Sequence, residues 1–150
     1  MESCKLGYLA GMLDGEGSIT IDLYRKVYTR ADYKLHVTIT NKNIDCLKFI
    51  QNEFGGSLYS VRSNYGTTIY RLQWLGNAAK DMLRTVVDKL IVKREQAELA
   101  LLFPVNVVYQ RRYTEAEKEF RHEIYLKHKK LTRRETQISF GEPREVRNME

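Results

Sequence analysis

Two carboxylates alternate with glycines near the start of the chain, in the run Asp14, Gly15, Glu16, Gly17. Because glycine has no side chain, the main-chain carbonyl of Gly15 is accessible beside the carboxylate of Glu16. A carboxylate next to a carbonyl offers the hard oxygen ligands that magnesium and calcium prefer. An exposed acidic turn with no ligand is the alternative, and it is the commoner state of such a glutamate.

The residues before this run predict a helix with one bare face. Glycines recur at Gly7, Gly11 and Gly15, with Ala10 and Asp14 beside them. A spacing of four residues keeps the glycines on the same side of a helix. Each glycine costs a helix about 1 kcal/mol relative to alanine. Their repetition therefore favours a helix that packs closely against another backbone, and a loose glycine-rich turn is the alternative.

Composition limits the class of protein. The 150 residues are 43% hydrophobic, which suits one domain with a core. Lys and Arg number 25 against 19 Asp and Glu, and this moderate basic excess is compatible with nucleic-acid binding without requiring it. Cys4 and Cys46 lack metal-ligand spacing, and neither a signal peptide nor a long apolar run is present. We therefore expect free thiols, an intracellular reducing compartment and no membrane span.

The run from Leu9 to Gly17 resembles the signature of the LAGLIDADG homing endonucleases. Met12 and Leu13 keep the apolar character of two signature positions, and Glu16 stands where other members carry Asp or Glu. The direct matches are Leu9, Ala10, Gly11, Asp14, Gly15 and Gly17. The signature requires a helix before it and a β-hairpin after it, so the rest of the chain tests the resemblance.

Periodicity predicts the order α-β-β-α-β-β-α with further helices, which is the order of that family. Capping residues and helical spacing predict helices over 3–13, 43–54, 77–90, 93–103 and 114–129. Ser3, Asn77 and either Asn41 or Asn43 are the predicted caps of three of them. Two-residue alternation predicts strands over 18–24, 34–40, 58–62 and 68–74. We assign 1–129 to one domain and 130–150 to a tail, expected to be an arm or partly disordered.

The resemblance implies an α+β fold, in which a four-stranded antiparallel saddle carries helices on one face. The chain has one copy of the motif, and single-motif members are homodimers. The predicted subunit interface is the bare face of the first helix, formed by Gly7, Ala10, Gly11 and Asp14, where Asp14 caps or bridges the paired helices. Pairing these helices brings two Glu16 carboxylates together, and divalent cations relieve their repulsion.

The resemblance also implies hydrolysis of one phosphodiester bond on each DNA strand. Mg2+ is the implied cofactor, held by Glu16 and the carbonyl of Gly15, with Ca2+ as a non-cleaving substitute. Lys93 matches a lysine at the start of the helix after the second hairpin, and Asn41 stands where some members have a catalytic Gln. The alternatives are an exposed helix-terminal lysine and a local Asn cap.

Strand parity predicts the side chains that face double-stranded DNA. If the apolar side of each hairpin packs under the helices, the opposite side forms a polar surface that fits the major groove. The predicted DNA-binding residues are Thr20, Asp22, Tyr24, Lys26, Lys34, His36, Thr38, Ser60, Arg62, Arg71 and Gln73. An ordinary solvated sheet face shows the same alternation and is the alternative.

Three functions are compatible with these patterns. The first is a site-specific homing endonuclease, encoded by a mobile element, that breaks both strands of a long pseudo-palindromic target. The second is an intron RNA-splicing maturase on the same fold, and the third is a DNA-binding regulator that does not cleave. The Gly15-Glu16 pair and Lys93 favour the nuclease.

Overall fold

The structure, a computed structural model, describes residues 2–24, 32–105 and 113–139. Its elements are α1 (Glu2–Glu16), β1 (Gly17–Tyr24), β2 (Asp32–Asn41), α2 (Ile44–Phe54), β3 (Ser57–Arg62), β4 (Thr68–Leu75), α3 (Gly76–Val86), α4 (Arg94–Leu102) and α5 (Glu115–Ser139). A 3-10 turn, Val87–Lys89, lies between α3 and α4. The predicted element order and the α+β fold class are confirmed.

The four strands form one antiparallel sheet in the order β1-β2-β4-β3. Directly paired residues point to the same face, so the pairs of Ile21 with Leu35 and of Ile39 with Leu72 align apolar side chains across the strands. The side chains of this face are buried in one core with residues of the helices. In β2 they alternate with partly exposed side chains. The described helices thus cover one face of the sheet, and the side chains of the other face are mostly partly exposed.

Local capping explains where two helices begin. Asn43 is the N-cap of α2, and its side chain accepts a hydrogen bond from the N–H of Asp45. Thr114 and Glu117 form a reciprocal capping box before α5. The predicted caps Ser3 and Asn77 are wrong, because each lies inside the first turn of a helix that begins one residue earlier.

Helix α5 runs to Ser139, ten residues past the predicted end at 129. Residues 130–139 of the expected tail are therefore helical, and the expectation of an arm along DNA stays a prediction. These residues contain neither glycine nor proline, which first appear at Gly141 and Pro143, so nothing in their chemistry stops the helix. Residues 140–150 lie outside the described part of the chain.

Helix α5 holds the first residues of β2 in place. Arg121 is only 5% exposed. Its guanidinium donates to the Asp32 carboxylate at 3.0 Å and to the main-chain oxygen of Tyr33 at 2.8 Å. The same group lies 3.9 Å from the ring centroid of Tyr113 and 4.8 Å from that of Phe103. This helix therefore supports the outer end of the β1-β2 hairpin.

Both cysteines, Cys4 and Cys46, are free, as predicted. Within the described ranges, none of the helices has the length and apolar character needed to cross a membrane.

Candidate active site and polar sheet face

Glu16 lies at a junction without a loop, since it ends α1 and Gly17 begins β1. Its side chain is exposed. A Cβ on Gly17 would lie 2.5 Å from Cδ1 of Leu13 and 2.7 Å from its main-chain oxygen. Because no side chain fits there, Gly17 allows the strand to leave the helix immediately. Glu16 is thus fixed by the packing of two regular elements.

The Asp14 carboxylate caps α4 of its own chain. Its Oδ2 accepts from the N–H groups of Ile91 at 2.9 Å and Val92 at 3.3 Å, and its Oδ1 accepts from that of Lys93 at 3.0 Å. These donors precede or begin a helix and have no intrahelical acceptor. Of the two predicted roles of Asp14, capping and bridging the paired helices, the single chain shows a cap, on α4, and the place of Asp14 in a subunit interface stays a prediction.

Lys93 in turn contacts α1 through its side chain. It is the N-cap of α4, and its ammonium donates to the main-chain oxygen of Asp14 at the C-terminal end of α1. A cation at a helix C-terminus is stabilised by the partial negative charge of the last carbonyls. The side chain is partly buried, so the alternative of a freely exposed lysine does not hold. The structure therefore brings Lys93 to the segment that carries Gly15 and Glu16.

Asn41, by contrast, serves a local turn. It ends β2, and its side-chain oxygen accepts from the N–H of Asn43 at 2.8 Å. This contact is the local hydrogen bond that the sequence offers as the alternative to a catalytic role for Asn41.

The N-terminal end of α2 lies within electrostatic reach of Glu16. Burial raises the pKa of the Cys46 thiol, and the carboxylates of Asp45 and Glu16 add to that increase. The thiol donates to the main-chain oxygen of Asn43.

One chain supplies only part of a cation site. Among the described residues, no group of three or more His, Cys, Asp or Glu side chains could hold a metal ion. The exposed Glu16 carboxylate and the Gly15 carbonyl are hard donors of the kind that magnesium takes. They fit such a cation if further oxygens come from water, from a ligand or from a second copy of the chain.

The bare face of α1 is open. Gly7, Gly11 and Gly15 are exposed, and a Cβ added at any of them meets nothing within 4 Å. Ala10 is different, because it is 3% exposed and belongs to the core of its own chain. Its predicted place in a subunit interface is corrected, whereas the three glycines leave a surface that another backbone could approach.

Most of the predicted polar face is found on one side of the sheet. Thr20 pairs with His36, Asp22 with Lys34, Thr38 with Gln73, and Thr40 with Arg71. These residues alternate with the buried apolar set. Tyr24 ends β1, and Lys26 lies outside the described residues. Ser18 and Thr40 also lie on this face, and their parity with Thr20 and Thr38 could have predicted them.

The predicted orientation of β3 is wrong. Ser60 pairs with Tyr70 and Arg62 with Thr68, on the face that the helices cover. Tyr59 pairs instead with Arg71 and Ser57 with Gln73, on the open face. The parity of this edge strand is set by Leu58, which packs on the core opposite Leu72. The aromatic ring of Tyr59 instead favours placing Tyr59 on the buried face and Ser60 on the open one, but the structure shows Tyr59 exposed.

Four polar side chains make contact across all the strands of the open face. Tyr59 donates its hydroxyl to Oε1 of Gln73 at 3.1 Å, and Nε2 of Gln73 lies 3.2 Å from Nδ1 of His36. Nε2 of His36 lies 2.8 Å from Oδ2 of Asp22, an ion-pair distance at which the N–H is not in line for a hydrogen bond. We call these four residues the cross-sheet chain.

Comparison with known proteins identifies the family and similar solved structures. A family model described as LAGLIDADG endonuclease matches residues 9–91. No curated protein sequence matches the chain. Among solved structures, the chain is similar to the homing endonuclease I-CvuI in complex with its target in the presence of calcium. The two share 20% identity over 87% of this chain and 82% of that chain, with a TM-score of 0.68.

Two further structures show the same fold. I-CvuI in complex with the I-CreI target and magnesium, with the DNA not cleaved, is 18% identical over 82% of this chain and 96% of that chain, with a TM-score of 0.58. An archaeal intron-encoded homing endonuclease, I-Vdi141I, complexed with DNA, is 19% identical over 100% of this chain and 91% of that chain, with a TM-score of 0.67.

Proposed function

The chain belongs to the LAGLIDADG endonuclease family, and we propose that it is a homodimeric homing endonuclease that cleaves both strands of a long pseudo-palindromic DNA target. The observation that carries the proposal is the position of Lys93 at the end of α1, next to Gly15 and Glu16. An exposed carboxylate, an open carbonyl and an ammonium group together suit the hydrolysis of a phosphodiester.

A dimer supplies what one chain lacks. Each chain offers one Glu16 carboxylate at the end of a helix whose glycine face is open. Pairing two such helices about a two-fold axis brings the two Glu16 carboxylates together and completes a site with two halves. The same symmetry gives two recognition sheets and therefore a target with two related half-sites.

Mg2+ is the proposed cofactor, held by Glu16 and the Gly15 carbonyl together with oxygens of water and phosphate. The calcium and magnesium present in the I-CvuI complexes support a divalent cation. When bound, such a cation supplies Lewis-acid stabilisation of negative charge on the phosphate. Glu16 binds and orients it. Lys93 adds a second positive charge that its hydrogen bond to Asp14 holds in a fixed place.

The open sheet face is the proposed DNA-reading surface. The I-CvuI and I-Vdi141I structures are complexes with DNA or a target, and a two-stranded ribbon fits the major groove. Arg71, Gln73, Lys34 and His36 provide both donors and acceptors for base edges. Tyr59 and Ser57 replace Ser60 and Arg62 in this surface.

Selection of cleaved sites from a randomised DNA library tests the function, with magnesium, with calcium and with chelator. We expect cleavage of a two-half-site target only with magnesium, and its loss in Glu16→Gln with DNA binding retained. Glu2→Gln, at the other end of α1, is the matched control and should cleave as the natural chain does. Binding without cleavage under every metal would indicate a regulator. Splicing of an intron RNA without cleavage would indicate a maturase.

A further inference from the structure

The contacts of the cross-sheet chain run diagonally between neighbouring strands. Tyr59 on β3 contacts Gln73 on β4, Gln73 contacts His36 on β2, and His36 contacts Asp22 on β1. Each contact joins residues two positions from direct pairing, a distance that long side chains can span. The four side chains therefore link every strand of the open face.

The Asp22 carboxylate determines which nitrogen of His36 carries the proton, and with it the direction of the two hydrogen bonds of the cross-sheet chain. An ionised carboxylate such as Asp22 accepts hydrogen bonds and donates none. Nε2 of His36 is buried and makes no hydrogen bond among the described residues, but it lies 2.8 Å from Oδ2 of Asp22. A lone pair on Nε2 would be repelled by the carboxylate at that distance, so the proton belongs on Nε2. A neutral imidazole with its proton on Nε2 has a lone pair on Nδ1. Nδ1 must then accept from Gln73.

The amide of Gln73 follows from that tautomer. Its Nε2 donates to His36, and its Oε1 is left to accept from the hydroxyl of Tyr59. The reversed amide would place an oxygen opposite the Nδ1 lone pair, which is repulsive. Each amide atom keeps one unused site, a second N–H on Nε2 and a second lone pair on Oε1. Gln73 thus presents a donor on the β2 side and an acceptor on the β3 side.

We propose that Asp22 and Tyr59 are positioning residues that fix the amide of Gln73 through the cross-sheet chain. The fixed amide then reads adenine on only one of the two DNA strands. The proposal rests on the proposed DNA endonuclease function. Glutamine recognises adenine by donating to N7 while accepting from the N6 amino group. These two groups appear in opposite order in A·T and T·A pairs, so an amide that cannot reverse is complementary to one of them.

The orientation can be tested without DNA, by 15N chemical shifts of the His36 ring in alkaline buffer, where imidazoles are neutral. We expect a ring protonated at Nε2 in the natural chain and a mixture of tautomers in Asp22→Asn, because an asparagine can donate as well as accept. A ring of the natural chain that is protonated at Nδ1, alone or together with Nε2, would overturn the proposed direction.

The reading can be tested by profiling cleavage of target libraries, scoring the ratio of A·T to T·A at each position. At one base pair per half-site, we expect a ratio of about tenfold or more, the range of a bidentate contact. Asp22→Asn and Tyr59→Phe should both bring that ratio towards one while preferences elsewhere remain. Asp81→Asn, which also removes one carboxylate, and Tyr65→Phe, in an exposed turn, should leave the ratio unchanged.

The tautomer measurement and the cleavage profile distinguish a failure of this proposal from a failure of the proposed endonuclease function. A natural chain that cuts no DNA overturns the proposed function and the reading, while the tautomer measurement still decides the orientation. If the natural chain cleaves and both variants lower affinity equally at all sequences, then Asp22 and Tyr59 have no part in orienting Gln73.

Discussion

Asp14 and Lys93 bind each other at two points. The Asp14 carboxylate accepts from the main-chain N–H of Lys93 at 3.0 Å, and the Lys93 ammonium donates to the main-chain oxygen of Asp14. The first contact caps the start of α4, and the second places a positive charge at the C-terminal end of α1. Because the two contacts use different atoms, stability and catalysis can be separated by mutation.

Lys93→Met should abolish or strongly reduce cleavage and lower the free energy of unfolding by less than Asp14→Ala, because only the ammonium contact at the end of α1 is lost and the main-chain N–H that Asp14 caps is retained. Asp14→Ala should lower the free energy of unfolding by about 1–3 kcal/mol, since it leaves three N–H groups without their acceptor. Thermal melts and cleavage rates of both variants provide the test, with Lys89→Met as the control. A Lys93→Met protein that cuts as fast as the natural chain would reduce Lys93 to a helix cap.

Gly11→Ala should stabilise the single chain and weaken the dimer. A Cβ there meets nothing within 4 Å in one chain, and alanine is better than glycine in a helix by about 1 kcal/mol. The same Cβ would separate two paired helices. Sedimentation equilibrium over a range of concentrations, with denaturation of the dilute protein, measures both effects. Ser3→Ala, on the exposed part of α1, is the control. Unchanged dimerisation would show that the interface lies elsewhere.

Gly17→Ala should destabilise the fold by about 1–3 kcal/mol, a cost typical of inserted methyl groups. Its Cβ would lie 2.7 Å from the main-chain oxygen of Leu13, which cannot move aside without distorting the helix. Displacement of Glu16 should reduce cleavage further. Gly7→Ala, whose Cβ has open space, should not lower the melting temperature. Equal melting temperatures for the two variants would contradict the clash.

Stability should fall as the pH is lowered from 7 to 5, in part because of His128 on α5. Burial lowers its pKa from the ordinary 6.5, Lys129 lowers it further, and Asp22 partly opposes this. The folded pKa lies below the unfolded one, so the unfolded chain binds more protons and gains population as the pH falls through 6.5. His128→Phe should reduce the slope of unfolding free energy against pH, by at most about 1.4 kcal/mol per unit. An unchanged slope would show that His128 takes up its proton without unfolding.

The sequence predicts the core of the fold well because its apolar alternation has one interpretation. Ile19 and Ile21 in β1, and Leu35, Val37 and Ile39 in β2, can be buried only together. In β3 the alternation is ambiguous, since Leu58 competes with Tyr59 and Val61 for the inner face. Only pairing with β4 decides it, and pairing depends on residues distant in sequence.

In the candidate site, too, some roles can be predicted from the sequence and others depend on contacts between distant residues. Spacing and resemblance predict the run ending in Glu16, and resemblance alone predicts Lys93. The carboxylate of Asp14 could not be assigned, because its acceptor role depends on residues 91–93, far along the chain. The cross-sheet chain likewise joins strands whose register the sequence does not state.

The absence of a loop between Glu16 and Gly17 has a consequence for the length of the DNA target. A strand that continues directly from a helix must follow any rotation or translation of that helix. In the proposed dimer, the crossing angle and separation of the two α1 helices would therefore determine the distance between the two recognition sheets. The number of base pairs between the half-sites would then be set by the close approach that Gly7, Gly11 and Gly15 allow between the two α1 helices.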